Sequence, residues 1–344
     1  MNFIRSAKFD SFFILSVGFW ATVLAFSLQA TLPVHDFSAA YWLVLVLGVD
    51  VSHVYSTLFR TYFSREGWNQ YQSLLWKLPI FLFLVIFAVA LFSVSWFWTV
   101  LAYIAVFHFI RQQAGFARIY TRQHFTIHEW VIYVVTFGSV LMWHLDSSKI
   151  FKWFTQDDFL KLQIFSNSEK FLAMQIIDIF IVAVFAVYVV WALFKFLKDR
   201  SAFNWPVYLL TFSTALSWYL GIVVANSDFI FTVTNVLTHG VPYLALVWHT
   251  QEKEKSMFAS FELFAFILLL FAFFEEAFWD SFIWRDHEIF FDSFYFLPQL
   301  ENRLAVALGL SLLILPQLTH YVLDGFIWKS KGKTQNWSAD QTPS

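Results

Sequence analysis

Cysteine is absent from the 344-residue chain, and charged residues make up only 13% of it. Without cysteine there can be no disulfide, thiolate metal ligand, iron–sulfur cluster or cysteine nucleophile. Soluble domains carry roughly a quarter charged residues, so this charge content excludes an ordinary soluble enzyme. The formal net charge of -2 gives no basis for binding nucleic acid. The sequence also contains no GxGxxG dinucleotide-binding motif.

The chain is instead rich in apolar and aromatic residues, at 59% and 22% of its length. Apolar stretches of about 20 residues bounded by charge or turn residues predict membrane-spanning helices. The sequence predicts ten spans, at 12–33, 38–60, 77–96, 98–120, 128–146, 171–195, 206–225, 229–250, 258–280 and 303–326. The predicted fold class is therefore all-α, a polytopic integral membrane helical bundle of about ten transmembrane helices. We expect a single transmembrane helical domain over 1–328 and a disordered cytoplasmic tail over 329–344.

The distribution of lysine and arginine predicts the orientation of these spans, because cytoplasmic loops carry the excess of positive residues. With ten spans, both termini and the loops after even-numbered spans lie on one side of the membrane. Sixteen of the 22 Lys and Arg residues fall on that side. The sequence therefore predicts that both termini are cytoplasmic, and we expect residence in a bacterial inner membrane.

Several polar and ionisable residues lie inside the predicted spans, where such side chains are costly and by default mark a functional site. They are Asp50, His53, His108, Arg111, Gln112, His239, His249, His320 and Asp324. They occur in spans two, four, eight and ten, which all run from the outside inward. Most of them should therefore lie in the cytoplasmic half of the membrane, which predicts a common polar site.

Helical spacing adds detail, since residues three or four apart share one face of a helix. Asp50 and His53 form one such pair, and His320 and Asp324 form another. Each pair suits two metal ligands, or one ligand histidine held by a carboxylate. Ten residues separate His239 from His249, about 15 Å along a straight helix, so we favour His239 as the ligand.

Imidazole and carboxylate groups without sulfur are the ligands of non-haem iron, zinc, manganese or copper. We predict metal ligation by His53, His108, His239 and His320, with Asp50, Asp324 and His249 as further ligands or their hydrogen-bonding partners. Arg111 is predicted to hold an anionic group, and Gln112 to orient a ligand or bound water. Iron is the preferred metal because lipid-dissolved substrates are difficult to modify without dioxygen chemistry, while zinc hydrolysis would use the same residues.

Other polar residues have less specific patterns. His124 and His128 form an HxxxH at the cytoplasmic edge of the membrane, whose role stays open. Glu275, Glu276 and Asp280, at the outer end of span nine, are expected to face water. A simpler explanation for Arg111 is that its side chain extends to the cytoplasmic headgroups.

The spacing of the histidines can be compared with that in known families. Membrane desaturases and hydroxylases carry HxxxH and HxxHH boxes, and this chain has no HxxHH. Isolated histidines, one to a span, resemble the bacterial carotene-cleaving dioxygenases. The segment Phe107-His108-Phe109, followed by Gln112 and Gln113, is similar to a span of that family, and His53 and His239 fall in comparable order. His320 and Asp324 lie outside the pattern. The resemblance implies an iron-dependent oxygenase acting on a lipid-soluble molecule.

The functional hypothesis is thus an integral membrane, histidine-rich metalloenzyme, a non-haem iron oxygenase or hydroxylase. Its substrate would be a hydrophobic or lipid-linked molecule that enters from membrane lipid, and a separate protein could donate electrons. Two alternatives are a transporter or proton-coupled carrier, which also needs polar groups in the membrane, and a b-type haem protein with axial histidines.

Overall fold

The fold is known from a computed structural model, which describes residues 3–31, 38–146, 148–149, 165–254 and 256–328. The predicted tail at 329–344 lies outside the described residues. All regular structure in the described residues is helical, with no strand among them. The all-helical prediction is therefore confirmed for this part of the chain.

Fourteen α-helices are present in the described residues. They are α1 (Ala7–Asp10), α2 (Val17–Thr31), α3 (Ala39–Trp42), α4 (Ser52–Arg60), α5 (Arg65–Phe92), α6 (Val94–Thr121), α7 (Ile127–Leu145), α8 (Asn167–Lys198), α9 (Trp205–Trp218), α10 (Asp228–Lys253), α11 (Phe261–Trp279), α12 (Glu288–Phe291), α13 (Arg303–Leu313) and α14 (Leu315–Ile327). Four segments have the wider turns of a π-helix, namely Ser11–Leu15, Leu43–Val51, Tyr219–Val224 and Asp280–Trp284. A short 3-10 turn covers Asp292–Phe294.

Several of these helices are long and apolar enough to cross a membrane. Six meet that criterion, and the number rises to eight if two bent pairs each count as one span. The bent pairs join Ala7–Leu15 to Val17–Ala30 at 54°, and Arg303–Leu313 to Leu315–Ile327 at 40°. These helices indicate an integral membrane protein, but the predicted count of about ten spans is not confirmed. Helix α11 has too many carboxylates for the criterion, because it contains Glu262, Glu275 and Glu276.

The described residues group into two compact units. The first comprises those within 1–37 and 102–242, and its core includes the packing of α7 against α8 and α9. The second comprises those within 38–101 and 243–335, where α4 packs against α11 and α14, and α5 packs against α13. The prediction of one domain over 1–328 stays a prediction.

Hydrogen-bonding caps explain where several helices begin. Thr126 and Glu129 form a reciprocal capping box at the start of α7, and Ser166 and Glu169 form the same arrangement at α8. Such pairs satisfy two backbone N–H groups that have no partner within the helix. Between the third and fourth predicted spans, the stretch from Ser93 to Trp98 predicts a tight hairpin or a kink, and in the structure Ser93 is the single residue between α5 and α6.

A proline within α5 is compensated by a side chain. Pro79 has no N–H, so the carbonyl of Leu75, four residues earlier, loses its usual helical partner. The hydroxyl of Tyr62 donates to that carbonyl at 2.6 Å. A helix can therefore continue through Pro79 without leaving a buried acceptor unsatisfied.

Candidate metal centre

His53 lies just after an irregular part of its helix. The π-helical segment Leu43–Val51 ends two residues before it, and such segments occur frequently at functional sites. The His53 side chain is buried, and its Nδ1 lies 3.7 Å from the Asp50 carboxylate. The predicted pairing of Asp50 with His53 on one helix face is therefore present in the structure.

His320 is held by hydrogen bonds that determine which ring nitrogen can bind a metal. The Tyr243 hydroxyl donates to Asp324 at 2.5 Å, and it also lies 2.8 Å from the Thr57 hydroxyl. Because the tyrosine proton is used, Thr57 must donate to Tyr243 and accept from His320 Nδ1, 2.6 Å away. The proton therefore sits on Nδ1, and Nε2 of His320 carries the lone pair for a metal.

The hydroxyl of Thr57 is expected to matter for metal affinity. Replacing Thr57 by Val keeps the side-chain shape but removes the acceptor for His320 Nδ1 and the donor to Tyr243. Loss of such an outer partner typically lowers metal affinity about 10- to 100-fold. A chelator-competition titration of the purified protein measures this directly.

Thr136→Val is the matched control, because Thr136 is also buried but its hydroxyl bonds only to the backbone of α7. Metal affinity should be unchanged in this variant. Equal affinity in the Thr57→Val and Thr136→Val proteins would show that the Thr57 hydroxyl does not orient His320.

His108 and His239 form a second pair of buried imidazoles. Their ring centroids lie 5.0 Å apart at an interplanar angle of 79°. The ring of Phe109 stacks on His239 at 4.0 Å, which fixes one face of that imidazole. In the same way, the rings of His53 and His320 lie 5.0 Å apart at 79°.

The backbone around His239 is irregular, and two glutamines support it. Pro242 lies inside α10 and leaves the carbonyl of Thr238 without its helical donor. Gln113 donates to that carbonyl at 2.8 Å, and Gln112 donates to the carbonyl of His239 at 2.7 Å. The two amides therefore hold the position of His239 through its backbone.

The four predicted histidines lie close together. His53, His108, His239 and His320 each offer one ring nitrogen, and these four atoms all lie within 4.8 Å of one another. All four side chains are buried, with between 1% and 6% of their surface exposed. Two nitrogens bound to one ion at about 2.1 Å can be at most about 4.2 Å apart. Nitrogens at the 4.8 Å limit would therefore have to move closer together to bind a single metal ion.

The chemistry of this donor set also fits a metal. Buried polar groups are costly unless they find a partner, and four imidazoles at one place are an expensive arrangement for packing alone. Neutral imidazoles suit zinc, copper, iron or nickel. The cluster could therefore bind a transition metal.

The remaining predicted residues are placed differently. Asp324 lies 3.7 Å from His320 Nδ1 and accepts from Tyr243, so it is near the cluster without being one of the four. His249 is not part of the four-histidine group and lies 3.8 Å from Glu252.

Arg111 is exposed, with its guanidinium 5.7 Å from the ring of Phe107. Its predicted role at an anionic group stays a prediction.

The HxxxH at the edge of α7 does not form a second cluster. His124 is exposed and precedes the start of α7, in a turn where Phe125 has a φ of 57°. His128 is buried, and its Nδ1 lies 2.8 Å from the Tyr188 hydroxyl. The non-helical turn removes the shared face that this spacing would have on a continuous helix.

The expectation that the carboxylates at the end of α11 and just after it face water is wrong for Glu275 and Asp280, whereas Glu276 is partly exposed. Glu275 is buried, accepts a short hydrogen bond from the Tyr55 hydroxyl, and lies 3.4 Å from Trp279 Nε1. Asp280 is also buried and accepts from the Tyr295 hydroxyl at 2.7 Å. The available signal was a carboxylate in an otherwise apolar helix, which is a functional or structural marker by default.

Comparison with protein-family models, with curated proteins and with solved structures finds no match for this chain.

Proposed function

We propose that the protein is an integral membrane non-haem iron enzyme, an oxygenase or hydroxylase that acts on a lipid-soluble substrate. The observation that carries the proposal is the group of four buried histidines with ring nitrogens within 4.8 Å of one another. Each histidine lies on a helix, and helices position metal ligands more precisely than loops do. The absence of cysteine leaves imidazole and carboxylate as the strong ligands available in the chain.

The geometry favours a non-haem metal over haem. Two axial histidines of a haem face each other across the whole macrocycle, and no other side chain can reach the iron. Two nitrogens at this separation could be axial ligands, but two further nitrogens within 4.8 Å of both would then lie in the space that the porphyrin ring must occupy. This compact set supports direct coordination of one ion by all four histidines.

Iron is preferred over zinc because of the substrate class. A molecule dissolved in the apolar part of a membrane offers C–H and C=C bonds, which hydrolysis does not attack. Bound iron would supply the activation of dioxygen. The chain itself would hold the imidazoles in place through Thr57, Gln112 and Gln113, and would exclude water by burial. A separate electron donor would be needed if the reaction is a hydroxylation.

Metal analysis of the purified protein, with its visible spectrum, tests this proposal. One or two non-haem metal ions per chain are expected. A Soret band, or no metal after purification without chelators, would contradict the proposal. Incubation with membrane lipid under isotopically labelled dioxygen should then place the label in a lipid-soluble product. A product labelled only from water would indicate a zinc hydrolase instead.

The finer topology is also a proposal. We propose ten spans with both termini in the cytoplasm of a bacterial inner membrane, supported by the distribution of lysine and arginine. The chain lacks cysteine, so single cysteines can be labelled without background. Ser201→Cys and Ser293→Cys, both at exposed positions, should react with an impermeant thiol reagent from opposite sides. Only the residue 293 site should react in intact cells, and reaction of both sites there would overturn this orientation.

A further inference from the structure

An apolar cavity lies among the helices of the first unit. It is lined by Val106 and Phe109 of α6, Val140 and Trp143 of α7, and Phe231 and Asn235 of α10, together with two residues of α9 and the π-helical segment after it. Its volume, counted as the space open to the centre of a water-sized sphere, is about 20 Å³. That is enough for one small molecule, since a single water needs roughly 10–15 Å³ by the same measure.

The lining makes the cavity unfavourable for water. A buried water needs two to four polar partners, and although the lining includes Asn235 and two tryptophans, nearly all of its accessible surface is apolar. The Asn235 amide already donates to the carbonyl of Phe231 at 2.9 Å. Enclosed cavities with an apolar lining stay dry and bind apolar molecules or gases such as xenon. The cavity therefore suits a small apolar molecule.

The cavity lies next to the pair formed by His108 and His239. Phe109 lines the cavity, directly follows His108 in the chain, and stacks its ring on His239 at 4.0 Å. Asn235 lies four residues before His239 in α10, so both side chains lie on one face of that helix. A molecule in the cavity would be separated from His239 by little more than the ring of Phe109.

We propose that this cavity is a binding site for molecular dioxygen beside His108 and His239. Dioxygen is small, apolar and more soluble in lipid than in water, which matches the size, the lining and the membrane setting of the cavity. The space is too small for a long-chain lipid substrate. The use of the gas rests on the proposed function, whereas its binding rests on the cavity alone.

Xenon is the probe for the cavity, because it occupies dry apolar sites and needs no metal or activity. Xenon should bind in the wild-type protein, as seen by xenon NMR of the detergent-solubilised chain. Val140→Phe, which fills the cavity, should lose this binding. Val140→Ala, which enlarges it, should increase xenon occupancy and serves if the larger side chain prevents folding. Val187→Phe, at a position 70% exposed on α8, is the matched control and should bind xenon as the wild type does.

The kinetic consequence is a change in the KM for dioxygen. In Val140→Phe it should rise about tenfold, the effect of losing about 1.4 kcal/mol of binding, while metal content and kcat stay near the wild-type values. Xenon binding that persists in Val140→Phe would overturn the proposed site. An unchanged KM for dioxygen in a variant that has lost xenon would overturn the supply of gas to the metal. A metal-free protein that still binds xenon would contradict the proposed function but support the cavity.

Discussion

Replacing His320 with alanine is expected to abolish metal binding and to leave membrane insertion intact. His320 is one of four donors, it is 1% exposed, and its Nδ1 is fixed by Thr57. Alanine removes this donor, and Asp324, the carboxylate 3.7 Å from His320, accepts a hydrogen bond from Tyr243. The metal content of the purified protein, measured by mass spectrometry, should fall to near zero.

The matched control for this substitution is His128→Ala. His128 is also a buried histidine with a hydrogen bond to a hydroxyl, but it is outside the cluster. This variant should retain its metal. Full metal content in His320→Ala, with His128→Ala unchanged, would remove His320 from the ligand set.

A stability measurement gives a second, independent reading of the same prediction. A metal that binds only the folded chain stabilises it by RT ln(1 + [L]/Kd), about 4 kcal/mol at a thousandfold excess over Kd. The melting temperature of the wild-type protein should therefore rise when metal is added. The His320→Ala protein should show no such rise, and an equal rise in both proteins would mean that the metal binds elsewhere.

The proximity of the four histidines could be predicted from the sequence because it depends on depth in the membrane. Hydropathy placed all four in spans that run in the same direction, and the distance of His53, His108 and His320 from the span ends predicted a common layer. Depth is the position along the membrane normal, and it follows from the number of residues between a side chain and the ends of its span. The roles of these histidines as ligands remain a prediction.

The rotation of a helix about its own axis, which decides which residues are buried, cannot be predicted from the sequence in the same way. Arg111 lies three residues after His108 and therefore near it on the helix surface, yet His108 is buried and Arg111 is exposed. Glu275 was expected to face water because it lies near the end of a predicted span. In the structure it is buried, and it accepts a hydrogen bond from Tyr55. The direction in which a side chain points from its helix depends on tertiary packing. Hydropathy averaged over a span does not contain this information.

Helix boundaries show a related limit. The third span was predicted at 77–96, whereas α5 begins at Arg65, capped by Ser64. The first turns of α5 are polar, with Asn69 and Gln70, so a search for apolar residues cannot include them. Hydropathy also does not predict the π-helical segment Leu43–Val51, because the same apolar residues fit an α-helix or a π-helix.

Asp10 is a buried carboxylate that hydropathy does not single out, and its removal is predicted to have a large effect. It precedes the first predicted span, where a charge is ordinary, yet it is fully buried. Its carboxylate accepts from the Ile4 N–H at 2.6 Å, the Arg5 N–H at 3.1 Å, the Ser6 N–H at 3.4 Å and the Tyr120 hydroxyl at 2.9 Å. It thereby ties the N-terminal segment to α6.

Asp10→Ala is expected to lower the free energy of unfolding by about 3–5 kcal/mol, because the buried donors of Ile4 and Tyr120 would lose their acceptor. Unfolding of the detergent-solubilised protein by a denaturing detergent measures this. Asp199→Ala is the control, since that carboxylate also accepts from backbone N–H groups but is exposed, so water can replace it. A much smaller loss is expected there. Similar losses in the two variants would show that burial does not strengthen the Asp10 interactions, and would contradict its role as an anchor.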